Sequence, residues 1–94
     1  QLKAAEMLVY HACWLYEQGK PCGAEANMAK LRGSEAGFYA VDAAFQTFGG
    51  YAYAKEFNIE RIYRMIRLPR IAPITNELVK SFIAEKVLGL PRSF

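Results

Sequence analysis

Glycine and proline are absent from residues 2–18, and this gap restricts the start of the chain to a helix. Ala, Leu, Met, Glu and Lys fill most of the stretch, and all of them favour helices. Apolar side chains recur at steps of three and four residues, the spacing of a helix face. Other apolar residues occupy the opposite side, so we expect this helix to be buried on more than one face. Gly19 and Pro21 then end it.

A second helix is predicted from about Ala24 to Phe48. Its apolar stripe consists of Met28, Leu31, Phe38, Val41, Phe45 and Phe48. Gly33 and Gly37 lie inside this helix, where each costs about 1 kcal/mol relative to Ala. We therefore expect the two glycines to form part of a groove that another helix approaches closely. Gly49 and Gly50 stop the helix, and residues 51–57 are predicted to form a loop.

Two shorter helices complete the pattern. Asn58 is a candidate N-cap for a third helix that ends at Arg67, and Thr75 is a candidate N-cap for a last helix over 76–88. In the last helix the residues expected to face inward are Leu78, Val79, Phe82, Ile83 and Val87. No segment alternates apolar and polar residues between turn signals, so no strand is predicted. The sequence predicts a single all-α domain over residues 1–94.

The composition indicates more apolar surface than the chain can hide. Hydrophobic residues make up 53% of the 94 residues, against a usual share of about 45–50% even with Gly counted. A chain of this length buries only roughly 60–65% of the surface of its unfolded form. Such a composition excludes disorder, and no apolar run approaches the roughly 18–20 residues of a membrane span. We expect the chain to be part of a longer protein and its excess apolar surface to meet a partner.

Charge is unevenly distributed along the chain. The net charge is +3; residues 1–54 carry −1 (4 basic, 5 acidic) and residues 55–94 carry +4 (8 basic, 4 acidic). The basic residues Arg61, Arg64, Arg67 and Arg70 step by three and form one stripe, which could bind phosphates. A solvated face paired with Glu56 and Glu60 explains the stripe equally simply. No nucleic-acid partner is expected, because no recognised binding motif accompanies the arginines.

Few residues are suited to catalysis or metal binding. His11 is the only histidine, and it has no His or carboxylate four residues away, so we expect a structural role and no metal. Cys13 and Cys22 fit neither a disulfide framework nor a zinc site. They are interpreted as reduced thiols of a cytoplasmic protein. No nucleophile and base can be paired from these candidates.

One motif is specific enough to indicate a family. The motif consists of Gln46-Thr47-Phe48-Gly49-Gly50-Tyr51 and, further along, Ile59-Glu60-Arg61-Ile62-Tyr63-Arg64. It resembles the C-terminal helical domain of the acyl-CoA dehydrogenase family, which has a Gly-Gly helix end followed by a short helix. The resemblance extends over essentially the whole chain, because Ala29-Lys30-Leu31 and the closing segment 84–92 are also similar to family members.

The resemblance implies a fold, a cofactor and partners. The implied fold is an up-and-down four-helix bundle, packed on an N-terminal helical domain and a middle β-domain that are absent from these residues. The implied cofactor is flavin adenine dinucleotide (FAD), bound across a subunit boundary in a homodimer or homotetramer. The implied substrate is an acyl-CoA, with an electron-transfer flavoprotein as a further partner.

The resemblance also implies cofactor-binding residues. Those matching the family's contacts to a neighbouring subunit's flavin are Gln46, Thr47, Phe48, Gly49 and Gly50. Glycine lets backbone N–H groups come close to a ligand, and a glutamine amide can bond a dinucleotide. A second group, Thr75, Asn76 and Glu77, lies at a helix start that suits phosphate oxygens. Thr75 as a structural N-cap explains that position without a ligand.

Three positions depart from the family pattern. Pro73 stands where many members have the Glu that removes the substrate's α-proton, and proline accepts no proton. Met65 replaces an Asp, and Glu77 replaces a Gln, which makes a phosphate contact at Glu77 less favourable. We therefore expect no catalytic residue in this chain; the base either precedes Gln1 or is not needed.

These observations leave three hypotheses for function. The leading one is the C-terminal domain of an FAD-dependent acyl-CoA dehydrogenase of fatty acid metabolism, which forms α,β-unsaturated thioesters and is inactive as this fragment alone. The second is a flavin-dependent monooxygenase or oxidase with the same fold. The third is a helical interaction module that binds no cofactor.

Overall fold

The computed structural model describes residues 1–92 and contains four α-helices and three short 3₁₀ helices. The α-helices are α1 (Leu2–Glu17), α2 (Gly23–Phe48), α3 (Ile59–Arg67) and α4 (Asn76–Lys86). The 3₁₀ helices span Gly49–Tyr53, Lys55–Phe57 and Leu68–Arg70. No strand occurs in the described part of the chain, so the predicted all-α fold is confirmed.

The helix ends largely follow the sequence signals, with three differences. Gly19 has the left-handed φ of 66° that ends α1. The segment predicted as a loop after Gly50 instead forms two 3₁₀ turns, and α4 ends two residues before the predicted Leu88. Asn58 precedes α3 as expected but does not cap it, because its own φ is 60° and its side chain makes no capping bond. Its Oδ1 accepts a hydrogen bond from Arg61 Nε at 3.3 Å.

Helix α2 is the element on which the others pack. The main interhelical contacts of α1, α3 and α4 are all with α2. The buried apolar side chains are mostly alanines, which allow helix axes to approach closely: Ala5, Ala12, Ala29, Ala36, Val41, Ala52 and Val79. A core of such small side chains supplies little hydrophobic stabilisation per residue, since burial scales with apolar area.

The two glycines inside α2 differ in their surroundings. A Cβ at Gly37 would lie 3.4 Å from Ile66 Cγ2, so α3 does approach closely there, as predicted. A Cβ at Gly33 would meet nothing within 4 Å. The predicted groove is therefore confirmed at Gly37, whereas at Gly33 no residue of the described chain fills it.

Much of the predicted core is exposed. Helix α1 buries only Ala5 and Ala12, and its large exposed apolar residues are Leu2, Met7, Val9, Tyr10, Trp14 and Tyr16. The expectation that α1 is buried on several faces is wrong within residues 1–92, because among the described helices only α2 packs extensively on it. Leu78 in α4 and Val87, which directly follows α4, were expected to face inward, yet they are 47% and 44% exposed.

The molecule is more open than a free-standing domain of its size. Its radius of gyration is 16.0 Å, against about 12 Å for a compact domain of 94 residues. Its accessible surface is 6920 Å², whereas a monomeric protein of this mass exposes about 5,500 Å². Apolar side chains that are exposed on α1 and α4 contribute to this excess accessible surface of about 1,400 Å². This surface is suited to packing against further protein.

Two neighbouring substitutions in α4 test this description of the core. Val79 is 1% exposed, so Val79→Ala in the chain should lower the free energy of unfolding by about 1–3 kcal/mol. Leu78→Ala should cost less than about 1 kcal/mol, because Leu78 is already half in solvent. Urea unfolding followed by circular dichroism measures both. An equal loss for the two variants would contradict the exposed position of Leu78.

Candidate functional site

The C-terminal end of α2 opens into a cleft. Gly49 ends the helix with φ 57° and ψ −136°, a conformation that side chains with a Cβ rarely adopt. The turn that it allows brings the following 3₁₀ helix back toward α2. A cleft of about 280 Å³ lies between them, lined by Asp42, Phe45, Gln46, Gly49 and Tyr53.

A larger cleft of about 600 Å³ continues from this one toward α3. Its lining residues are Asp42, Phe45, Tyr53, Lys55, Glu60, Tyr63 and Arg64. We call the two together the α2-end cleft. Phe45 forms its wall, with edge-to-face contacts to Tyr53 at 5.1 Å and to Tyr63 at 5.4 Å between ring centroids. Aromatic walls with two carboxylates and two cations at the rim suit a ligand with apolar and charged parts.

The predicted residues at the end of α2 are all exposed, but they differ in what they offer. Gln46 is exposed and lines the smaller part of the cleft. The Thr47 hydroxyl donates to the carbonyl of Ala43 at 2.9 Å and is thus engaged by its own helix. The rings of Phe48 and Phe57 pack with their centroids 5.9 Å apart. Gly50 is exposed, and a Cβ added there would meet nothing within 4 Å.

The second predicted group lies at the start of α4. Thr75 Oγ1 accepts a hydrogen bond from the Leu78 N–H at 3.3 Å, which confirms its predicted role as N-cap. Asn76 is 1% exposed, and its amide is bonded to Lys30 and Ser34. Its side chain is therefore unavailable to a ligand, and only its backbone N–H can serve one. Glu77 is exposed.

The structure does not bring the two groups together. Ser34 contacts Asn76 at the start of α4, and Phe48 ends α2 fourteen residues later. At the rise of an α-helix this separation is about 21 Å. The two groups thus face different regions of space, and one copy of the chain presents two separate candidate contacts.

Among the described residues, none stands out as a catalytic base. Pro73, at the position matching the family's Glu, is exposed and follows a cis peptide bond. In α4, the hydrogen bond and charge of Lys86 lower the pKa of the Glu85 carboxyl, which makes it a weaker base. Within residues 1–92, no three His, Cys, Asp or Glu side chains cluster as metal ligands would. No helix in the same residues has the length and apolar character to cross a membrane.

The arginine stripe makes different contacts from those predicted. The guanidiniums of Arg67 and Arg70 lie 5.8 Å and 5.0 Å from the centroid of the Phe38 ring. Arg64 lines the α2-end cleft. Within the described residues no arginine of the stripe forms the predicted ion pair with Glu56 or Glu60. Cation–π contacts hold the end of the stripe against α2 instead.

Several residues of the site were not identified from the sequence. Asp42, Tyr53 and Tyr63 line the cleft, but each looks like an ordinary helix or turn residue when the sequence is considered alone. Lys30, which bonds the start of α4, stands in the Ala29-Lys30-Leu31 motif that was noted only for its resemblance. Contacts across more than forty residues of sequence leave no local periodicity by which to find them.

Fold and site together define an all-α domain that carries a ligand cleft at one end of its central helix and leaves apolar faces for neighbouring protein. The sequence model of the acyl-CoA dehydrogenase C-terminal domain matches residues 1–88. The chain therefore belongs to the acyl-CoA dehydrogenase family, as a C-terminal domain.

Individual relatives agree with this assignment. The acyl-CoA dehydrogenase FadE12 of Mycobacterium tuberculosis strain H37Rv is 42% identical over 96 residues, which cover 100% of this chain and 25% of the relative. An acyl-CoA dehydrogenase of Bacillus subtilis strain 168 is 41% identical, with 93% and 23% covered. The solved structure of PigA with FAD and proline is 37% identical with a TM-score of 0.87, covering 95% of this chain and 23% of PigA. The chain spans about a quarter of the length of the curated relatives it matches.

The adjacent residues Gly49 and Gly50 at the end of α2 should differ in how well they tolerate a side chain. Gly49→Ala should lower the free energy of unfolding by about 1–3 kcal/mol, because a Cβ is strained at its φ of 57°. Gly50→Ala should change it by less than about 0.5 kcal/mol, since a Cβ there meets no neighbouring atom. Thermal or urea unfolding of the two variants makes the comparison. Equal destabilisation would show that Gly50 also has a steric role in the fold.

Proposed function

We propose that the chain is the C-terminal domain of an FAD-dependent acyl-CoA dehydrogenase and that it supplies flavin contacts and part of the subunit interface. The observation that carries the proposal is the exposed end of α2, where Gln46 and Gly49 line a cleft. Two named relatives are acyl-CoA dehydrogenases, and one neighbouring structure holds FAD.

The residues at the end of α2 fit such a cofactor. Glycine at positions 49 and 50 lets a ligand approach the backbone without a side chain in between. The Gly49 N–H already donates to the carbonyls of Gln46 and Phe45, so the proposed contact there does not use that donor. Gln46 can both donate and accept hydrogen bonds. Thr47 and Phe48 support the turn, through the bond of Thr47 to Ala43 and the packing of Phe48 on Phe57. When bound, FAD supplies a hydride acceptor.

The start of α4 fits a phosphate only in part. The N–H groups of Asn76 and Glu77 can meet an anion, as at other helix starts, whereas the Leu78 N–H already donates to Thr75 Oγ1. Asn76 can contribute its backbone N–H but not its buried amide. The carboxylate of Glu77 would repel a phosphate, so its side chain must turn into solvent. The proposed contact there consists of the Thr75 hydroxyl and the backbone of Asn76 and Glu77.

The separation of the two groups supports their serving two different flavins. About 21 Å of helix lies between them, so one subunit could contact its own flavin through the start of α4. The end of α2 would then contact the flavin of a neighbouring subunit. This arrangement requires at least a homodimer, and a homotetramer built from such dimers also satisfies it.

The carboxylate that removes the α-proton belongs outside this chain in our proposal. Pro73 cannot accept a proton, and Glu85, with its lowered pKa, is a poor candidate. General-base catalysis needs a positioned group whose pKa lies near the working pH. We place that group in the preceding part of the full-length protein.

Partners and location complete the proposal. An acyl-CoA is the substrate, an electron-transfer flavoprotein accepts the electrons, and fatty acid metabolism is the setting. The exposed faces of α1 and α4 would be covered by the protein's other domains and by neighbouring subunits. Two free thiols, one of them exposed at Cys13, support a reducing location such as the cytoplasm.

Neither alternative hypothesis is favoured by a particular observation. A monooxygenase or oxidase would share the fold, but two relatives that the chain resembles are named acyl-CoA dehydrogenases. A module without a cofactor finds no support in a neighbouring structure that holds FAD. We therefore propose only the dehydrogenase function.

The visible spectrum of the full-length protein tests this function. The purified protein should show oxidised flavin absorption, and anaerobic addition of acyl-CoAs of several chain lengths should bleach it, because the substrate's hydride reduces the ring. A bound flavin that stays oxidised with every acyl-CoA but consumes oxygen would contradict the dehydrogenase assignment. A protein without flavin would contradict the cofactor.

The exposed face of α1 predicts self-association of residues 1–94 when they are produced alone. Sedimentation should show oligomers, and Tyr10→Ser together with Trp14→Ser should shift the population toward monomer, because both aromatics are at least half exposed. Lys3→Ser on the same helix is the control and should leave the distribution unchanged. A clean monomer of the unsubstituted chain would argue against an interface on α1.

A further inference from the structure

Lys30 connects α2 to the start of α4 through a chain of hydrogen bonds. Its Nζ donates to the carbonyl oxygen of Ile74 and, at 2.7 Å, to Asn76 Oδ1. Asn76 Nδ2 donates to Ser34 Oγ at 2.9 Å. The Ser34 hydroxyl in turn has two acceptors within reach, the carbonyl oxygen of Leu31 at 2.9 Å and Asn76 Oδ1 at 3.1 Å. When it donates to Leu31, the bonds run in one direction, from the ammonium group to a carbonyl of α2.

The Asn76 amide has only one orientation within these hydrogen bonds. A lysine ammonium has donors and no acceptor, so Asn76 must turn its oxygen toward Lys30 and its NH₂ toward Ser34. Asn76 is 1% exposed and Ser34 is 7% exposed, which leaves water little access to either. A buried amide without partners is costly. The start of α4 is therefore held in one orientation against α2.

The residues that Lys30 holds flank the proposed cofactor contact. Ile74 immediately precedes the N-cap Thr75, and Asn76 is the first residue of α4. Fixing the Ile74 carbonyl and the Asn76 side chain fixes the direction of the first-turn N–H groups. We propose that Lys30 is a positioning residue for flavin binding at Thr75–Glu77, acting through Ile74 and Asn76 without touching the cofactor. This inference rests on the proposed function.

A second lysine provides a matched comparison. Lys80 also bridges α4 and α2, through Glu35 at 3.9 Å, but its side chain is 56% exposed. It lies one turn further along α4, and within residues 1–92 its side chain makes no hydrogen bond to residues 74–76. An exposed pair of this kind contributes little to stability. Loss of Lys80 therefore removes a bridge between the same two helices without releasing the start of α4.

The experiment measures FAD affinity in the full-length protein, stripped of flavin and titrated with FAD by fluorescence. Lys30→Met should weaken FAD binding by about tenfold, the equivalent of one charge-assisted hydrogen bond. Lys80→Met should leave the dissociation constant within about twofold. Ser34→Ala takes the acceptor from Asn76 Nδ2 but leaves Lys30 on Ile74. It should lower the melting temperature yet keep the affinity within about threefold.

Each outcome decides the inference. Unchanged FAD affinity in a folded Lys30→Met protein overturns the inference. A loss of FAD affinity in Ser34→Ala equal to that in Lys30→Met also overturns it, because both losses would then reflect lower stability. If Lys30→Met does not fold, Lys30→Gln, which keeps N–H donors but loses the charge, should weaken binding by about three- to tenfold. Unchanged affinity in that variant also overturns the inference. An unsubstituted protein that binds no FAD refutes the proposed function itself and, with it, the role of Lys30.

Discussion

The close packing of three helices on α2 is the constraint on which the rest of the structure depends. Alanine supplies most of the buried apolar side chains, and Gly37 lets α3 come within contact of the α2 backbone. Helices that meet through small residues lie close but bury little area per residue. The small size of the core side chains also explains the open shape of the molecule, because the large apolar side chains then lie on the outer faces of the helices. These outer faces give the domain its capacity to bind neighbouring protein.

Features set by local chemistry could be predicted from the sequence. Gly19, Gly49 and Thr75 mark helix ends because their backbone freedom or side-chain oxygen acts on adjacent residues. Features that depend on residues far away in the sequence could not be predicted. The sequence pattern counts Leu78 as a core residue, yet the apolar faces of α1 and α4 find no cover within the described chain. The predicted side-chain cap at Asn58 does not form, because an asparagine also tolerates a left-handed backbone. In that conformation its side chain makes no capping hydrogen bond to α3.

In the candidate site, too, locally determined features could be predicted and those set by distant contacts could not. The end of α2 follows from the Gly-Gly signal and from the family resemblance, so its residues could be named in advance. The buried amide of Asn76 could not be foreseen, because its partners Lys30 and Ser34 lie more than forty residues away. A polar residue at a helix start is usually solvated, and only tertiary contact turns this one into part of the core. The same contact gives a positioning role to a lysine that the sequence presents as an ordinary surface residue.

The uninterrupted length of α2 has a consequence for how this domain can vary. Lys30 holds the start of α4 near one end of the helix, and Gly49 forms the turn at the other, nineteen residues on. Inserting one residue between them would move the far end by about 1.5 Å and rotate it by about 100°. Either change would alter the distance and the angle between the start of α4 and the turn at Gly49. Length variation should therefore accumulate in the turn between α1 and α2, because α2 sets the spacing of the two candidate contacts.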